Sequence, residues 1–170
     1  MIKTLTHNNI RVPEFQSKGF AAKFAMPFAQ QVCKGTGYDI GCNRPEWSFV
    51  DAEGVKSIPI DPIFSTAYDA YSLPDVKVDY IFSSHCAEHL PDWVKAIDYW
   101  QTKLHKGGVL FLYLPSYEST YWRPWFNRKH IHIFTPQIIK DYLTDRGWDN
   151  VFVSGIDLNN SFMAIANKAA

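Results

Sequence analysis

Val78-Asp79-Tyr80-Ile81-Phe82-Ser83-Ser84-His85-Cys86-Ala87-Glu88-His89-Leu90-Pro91-Asp92 is the stretch on which the fold turns. Its first six residues, VDYIFS, read as a strand, a short aromatic and β-branched run with no breaker inside it. Titratable residues follow at once. Pro91 then suits the first turn of a helix over Pro91–Leu104, whose apolar face is Val94, Ile97 and Tyr99-Trp100. Lys106-Gly107-Gly108 stops that helix, and Val109–Leu114 (VLFLYL) is a near-continuous apolar run, as expected of a strand covered on both faces.

The same alternation extends both ways. Upstream, Phe15–Cys33 reads as a helix interrupted by Pro27, with Phe20, Phe24 and Phe28 four apart on one face. Lys34-Gly35-Thr36-Gly37 breaks the chain before a short strand at Tyr38–Ile40, and Lys56–Ile60 is a second, closed by Asp61-Pro62. Downstream, Thr135 caps a helix over Pro136–Arg146 that Gly147 ends. Val151–Val153 and Phe162–Ala166, separated by the turn-rich SGIDLNNS, read as a closing antiparallel pair. Strands alternating with helices imply an α/β domain, one unit over residues 1–170, with a mostly parallel sheet.

Composition narrows the function. The 170 residues carry 17 Lys plus Arg against 17 Asp plus Glu, and this zero net charge lacks the clustered cations of a dedicated nucleic-acid binder. No apolar stretch nears the ~20 residues of a membrane span, and MIKTLTHNNIRVPEF has no apolar core of a secretory signal. Three cysteines, at 33, 42 and 86, fit neither a disulfide framework nor a zinc ribbon, which points to a reducing, cytoplasmic setting.

In a parallel α/β sheet, ligands sit beyond the carboxyl ends of the strands. That rule selects Gly41-Cys42-Asn43, Asp61, Ser84-His85-Cys86 and Pro115-Ser116. Gly41 after the first strand permits close backbone approach, and Asn43 can reach left-handed dihedrals. Asp61 stands twenty residues after Gly41, the spacing at which nucleoside cofactors find a carboxylate for the ribose hydroxyls. Asp69-Ala70 places a further acceptor beside small and apolar residues, suited to an exocyclic amino group.

Taken together these segments resemble the class I S-adenosylmethionine-dependent methyltransferases, in particular the small type 11 group. The stretch VDYIFSSHCAEHLPD is similar to that group's fourth-strand motif with its "EHL" turn. Leu104-His105-Lys106-Gly107-Gly108 resembles its "L-K-P-G-G" turn, with Lys106 where proline is usual. His130-Ile131-His132-Ile133-Phe134-Thr135-Pro136 resembles its "H-x-H-x-F-T-P" segment. The resemblance runs from about Gly37 to Val153. It implies a Rossmann-like sheet and S-adenosylmethionine held by Asp39, Gly41, Cys42, Asn43, Asp61, Asp69, Ala70, Ser84 and His85. It also implies methyl transfer to a small-molecule or sugar acceptor, at oxygen. His85 and His130 stand ahead of His132 as candidate bases. Two departures stand out: of the family's G-x-G-x-G turn only Gly41 remains, and the spacing leaves little room for helices or a third strand between the first and fourth strands. A cofactor-binding module without catalysis is the alternative these departures favour.

Two further features bear on function. Tyr117–Lys129, YESTYWRPWFNRK, interleaves rings with Arg123, Arg128 and Lys129 over the expected acceptor site. It reads either as a lid over a ring-shaped or anionic acceptor or as a partner surface; a homodimer in which it closes a neighbour's site satisfies both. His85-Cys86-Ala87-Glu88-His89 also matches H-x-x-E-H, an inverted zinc-hydrolase pattern. Pro91 so soon after it disfavours the long helix that chemistry needs, so no metal is assigned.

Overall fold

The computed structural model describes residues 3–7, 9–14 and 18–170. A hairpin of β1 (Thr4–His7) and β2 (Ile10–Pro13), which the sequence pattern does not announce, precedes helix α1 (Ala22–Val32). Then follow β3 (Gly37–Ile40), β4 (Ile58–Ile60), β5 (Val78–Ser84), α2 (Trp93–Lys103), β6 (Leu104–Pro115), α3 (Pro136–Asp145), β7 (Trp148–Val153) and β8 (Ser161–Lys168). The last six strands form one sheet in the order β4-β3-β5-β6-β8-β7. Its β4-β3-β5-β6 part is parallel, and β8 adds antiparallel to β6 and to β7, as the sequence implies.

Pleating sorts the core by side-chain type. Ile81 of β5 and Leu110, Leu112 and Leu114 of β6 face one side, against Ile97 and Trp100 of α2 and Ile139 and Leu143 of α3. Tyr80, Phe82, Phe111 and Tyr113, at the alternate positions, face the other side and α1. The α1 residues beneath those rings are Ala25 and Ala29, continued by Ala21 and Cys33. Small side chains four apart leave room for the bulky aromatic face. The buried stripe is therefore this one and not the expected Phe20-Phe24-Phe28 face: Phe28 is exposed, and Phe20 precedes the helix and stacks on Trp47.

Three helix and turn expectations are corrected. Pro27 lies inside α1 without ending it. Proline lacks only its own N–H, so a single helical bond is lost while Ala25 and Ala29 on either side stay packed. The expected start of this helix at Phe15 falls outside the described residues. Helix α2 begins after Asp92, whose carboxylate accepts from Lys95 N at 2.9 Å, so Pro91 precedes the cap rather than forming the first turn. Lys106-Gly107-Gly108 is no separate turn; it lies within β6 as an irregularity between the pairs Val78–Leu104 and Tyr80–Val109, with Gly107 at φ 74°.

The shortening between β3 and β5 is real. Residues 41–57 carry one 3-10 turn, Pro45–Trp47, in place of a crossover helix. Phe49 fills the gap, fully buried against Tyr80 and Phe82. Residues 61–77 contain neither helix nor strand. Ring-borne donors and acceptors tie that segment down: Trp100 Nε1 donates to Ala70 O at 2.7 Å, Tyr38 Oη to Val76 O at 2.9 Å, and Leu73 N donates to Tyr99 Oη at 3.0 Å. Ile40 is in register with both Ile60 and Ser83, and Ser84 with Tyr113, so the loops after β3, β4, β5 and β6 leave the sheet along one edge. No helix among the described residues is long and apolar enough to cross a membrane.

Candidate functional site

Along that edge runs a crevice of about 980 Å³. All nine residues expected to hold the cofactor line it: Asp39, Gly41, Cys42, Asn43, Asp61, Asp69, Ala70, Ser84 and His85. So does His130, whereas His132 does not line it, its Nε2 lying 2.7 Å from Leu90 O.

The β3 and β4 tips are laced together before any ligand arrives. Gly41 N donates to Ile60 O at 2.8 Å, and the Asp61 carboxylate accepts from Asn43 N at 2.8 Å and Ile63 N at 3.0 Å. A carboxylate oxygen accepts more than one hydrogen bond, so Asp61 keeps capacity toward the crevice. Asp69 accepts from Tyr71 N in the same manner. Asn43 takes the left-handed conformation foreseen for it, φ 63°. Gly41 is left-handed too, φ 82°, but the space a Cβ would occupy belongs to Cys86, 2.5 Å away at its Cβ. Glycine is required there by packing and dihedral. Asp39 sits at the crevice floor, 1% exposed, with its carboxylate turned to Phe49 N at 2.6 Å; burial pushes its carboxyl up to about 7. Ser84 Oγ is buried with no hydrogen-bond partner among the described residues. A buried orphan hydroxyl calls for an explanation, and a bound polar ligand supplies one.

The other end of the crevice is made of rings. His85, the residue after β5, takes a left-handed conformation, φ 49°, an uncommon state for a residue other than glycine and one that clusters at functional sites. Trp122 stands edge-on to His85 at 4.8 Å and stacks on His130 at 5.2 Å. Tyr121, Trp122, Arg128 and Lys129 of the aromatic segment line this end, while Trp125 and Phe126 are exposed outside it.

Glu88, which the sequence suggests only through the H-x-x-E-H pattern, lies beneath these rings with 0% exposure. Its Oε1 is 3.5 Å from His85 Nδ1, 3.6 Å from His89 Nε2 and 3.7 Å from His130 Nε2. These separations are too long for hydrogen bonds, and neither carboxylate oxygen has a hydrogen-bond partner among the described residues. Burial pushes the Glu88 carboxyl up to about 8, draws His130 down to about 4, and holds His85 and His89 below the usual imidazole range. The imidazoles are neutral at pH 7, so these contacts are not ion pairs. The zinc-hydrolase geometry is absent: β5 ends at Ser84, a single 3-10 turn covers Ala87–His89, and Leu90 is extended. Two histidines therefore do not project from one helix face. His130, outside the motif, is brought in from about forty residues downstream by the loop after β6.

A family model described as "Methyltransferase domain" matches residues 20–153. Among solved structures, the chain is similar to an S-adenosylmethionine-dependent methyltransferase from Thermotoga maritima, with 17% identity, a TM-score of 0.63, and coverage of 91% of this chain and 94% of that one. It is similar to the N-methyltransferase NodS from Bradyrhizobium japonicum in complex with S-adenosyl-L-homocysteine, with 16% identity, TM-score 0.63, and 92% and 89% coverage. A chain from the complex of the Haloferax volcanii Trm112 methyltransferase activator with a methyltransferase gives 13% identity, TM-score 0.64, and 92% and 95% coverage. At such identities the likeness is one of fold. No curated protein matches the chain.

Proposed function

The chain belongs to the methyltransferase domain family, and from this we propose that it transfers the methyl group of S-adenosylmethionine to an oxygen of a small-molecule or sugar acceptor. The observation that carries the proposal is the strand-tip crevice, with Asp61 and Asp69 at one end, the orphan Ser84 hydroxyl between, and an aromatic, cationic wall at the other. Asp61 accepts from the ribose hydroxyls and Asp69 from the adenine amino group. Tyr121 and Trp122 offer ring faces to a sugar or ring acceptor, and Arg128 and Lys129 hold its anionic groups.

When bound, S-adenosylmethionine supplies an electrophilic methyl carbon on a sulfonium. An acceptor oxygen held against that carbon would take the methyl group, the C–O bond forming as the C–S bond breaks and its electron pair staying on sulfur as S-adenosylhomocysteine. The residues contribute chiefly alignment, which by proximity is worth several kcal/mol. His85, neutral and at the crevice wall, would take the hydroxyl proton at Nδ1, the nitrogen that also faces Glu88 Oε1 at 3.5 Å. Its Nε2 is committed to Ser161 Oγ at 2.9 Å, which fixes the ring.

Thermal denaturation with S-adenosylmethionine and S-adenosylhomocysteine tests the binding half. A ligand at 100 times its Kd stabilises by about 2.7 kcal/mol. Transfer of a labelled methyl group to a panel of hydroxyl-bearing sugars and small molecules tests the rest. Absence of any shift with either compound at millimolar concentration refutes the proposal.

A further inference from the structure

The histidine–glutamate cluster beneath the aromatic wall is more than a proton store. The second nitrogen of each ring fixes where its lone pair points. His89 Nδ1 lies 2.7 Å from Lys129 O and His130 Nδ1 3.0 Å from Trp122 O. A carbonyl can only accept, so both Nδ1 atoms carry the proton and both Nε2 atoms present lone pairs. The Ser161 hydroxyl donates to Asn159 O at 3.1 Å, so it accepts from His85 Nε2 and leaves a lone pair on His85 Nδ1. Three imidazole lone pairs thus face one buried carboxylate that has no hydrogen-bond partner among the described residues. One proton on Glu88 can satisfy one of these rings, not three. A cation held by Glu88, His89 and His130 satisfies two of the rings and the carboxylate together.

We infer that Glu88, His89 and His130 form a binding site for a divalent transition-metal ion at the acceptor end of the crevice, with His85 beside it. Their ligand atoms all lie within 4.8 Å of one another. Around a tetrahedral zinc ion with bonds of about 2.1 Å, neighbouring ligand atoms stand roughly 3.4 Å apart, so the 3.6 and 3.7 Å from Glu88 Oε1 need close by only a few tenths, and the two imidazole nitrogens, within 4.8 Å of each other, close by rotation of the half-exposed His89 ring. Two imidazoles and a carboxylate suit zinc, cobalt, nickel or iron(II) better than magnesium or calcium. The ring-to-carbonyl bonds of His89 and His130 are the outer-shell support that metal-bound histidines have. The route in is open: His89 is 38% exposed at its side chain, and His85, His89 and His130 all line the crevice. Three protein ligands leave a coordination position for an oxygen of the acceptor. A metal-bound hydroxyl loses its proton far more readily than a free one. This last step rests on the methyl-transfer reading; the metal site itself does not.

The test uses the full-length, tag-free chain, stripped with a chelator and titrated with Zn²⁺ and with Co²⁺. Calorimetry reads stoichiometry, and the Co²⁺ visible d–d bands read the ligand set. One equivalent per chain at micromolar affinity is expected, with bands of a four- or five-coordinate nitrogen–oxygen site. H89A and H130A each weaken binding by more than the 10- to 100-fold that losing an outer-shell partner costs. Glu88→Gln, which keeps the shape of the buried side chain, does the same. His105→Ala, whose ring meets Asp79 away from the crevice, leaves binding unchanged. A folded wild-type chain that takes up neither ion overturns the inference, as does an affinity that H89A, H130A and E88Q all leave intact. S-adenosylhomocysteine binding is measured in parallel. Loss of metal binding alone leaves methyl transfer standing, and loss of nucleoside binding alone leaves the metal site standing.

Discussion

Replacing Asp61 by alanine should loosen two things at once, and the structure says by how much. The side chain is 7% exposed and accepts from Asn43 N and Ile63 N, so it joins the β3 and β4 turns. Hydrogen bonds to a charged group are worth about 1.5–3 kcal/mol. Water in the crevice can reach both freed amides, so the loss of fold stability falls at the low end, about 1–2 kcal/mol in all. The nucleoside loses its ribose bonds outright. A deficit of about 1.5–3 kcal/mol there is roughly a 10- to 150-fold rise in Kd. Titration calorimetry with S-adenosylhomocysteine on wild type, D61A and Asp61→Asn measures the second quantity, and urea unfolding of the same samples the first. Asp61→Asn should fall between the other two, because one oxygen still accepts. A folded D61A protein whose Kd stays within about twofold of wild type would refute the assignment of Asp61 to the ribose, whatever happens to stability.

Three other outcomes follow from the same geometry. His85→Asn keeps a residue at ease in the left-handed conformation while removing the base; kcat should fall about 10²- to 10⁴-fold with little change in S-adenosylhomocysteine affinity, and equal losses of both would make His85 a cofactor contact only. Burial lifts the Asp39 carboxyl from 3.8 to about 7, so between those values the folded chain holds a proton the unfolded chain has released. Stability through this group therefore falls as pH rises across that window and levels off above it, with a slope approaching about 1.4 kcal/mol per pH unit. Asp39→Asn removes that slope, and urea midpoints of wild type and variant that run parallel from pH 4 to 7 would contradict it. Thr135→Ala, which deletes the Oγ1 acceptor 3.2 Å from Ile138 N, should cost about 0.5–2 kcal/mol in urea unfolding and leave nucleoside affinity alone.

The fold was largely legible because its signals are local. VDYIFS and VLFLYL are strands by composition alone, and Thr135 with Pro136 marks a helix start. What escaped was set by partners distant in sequence. Nothing in AKFAMPFAQQV says that alanines form the buried stripe, with Phe24 stacked on Tyr113 at its side and Phe28 left exposed; that follows from the rings of Tyr80, Phe82, Phe111 and Tyr113, which take up the volume. Pro27 breaks a helix in isolation, and here the packing of Ala25 and Ala29 outweighs it. The ordered loop of residues 61–77 depends on hydroxyl and indole groups from β3 and α2, invisible until those elements are placed.

The site divides the same way, and the division explains which residues sequence could not assign. Gly41, Asp61 and His85 stand directly after strands, so a rule about strand ends finds them without knowing the packing. Glu88 and His89 are also adjacent to β5, yet their meaning changes with one distant fact, the arrival of His130. Without it, Glu88 is a buried acid at the end of a turn and the H-x-x-E-H match invites a helix that is not there. With it, the carboxylate faces three imidazoles, two of them turned by carbonyls of the loop after β6, Lys129 O and Trp122 O, and the third by Ser161 Oγ at the start of β8. Three independent anchors aiming lone pairs at one point are hard to account for by packing alone, since any one ring could flip to hydrogen-bond the carboxylate at less cost. The loop carrying Trp122 and His130 therefore serves two ends of one requirement, walling the crevice and bringing the His130 lone pair to Glu88 beneath it.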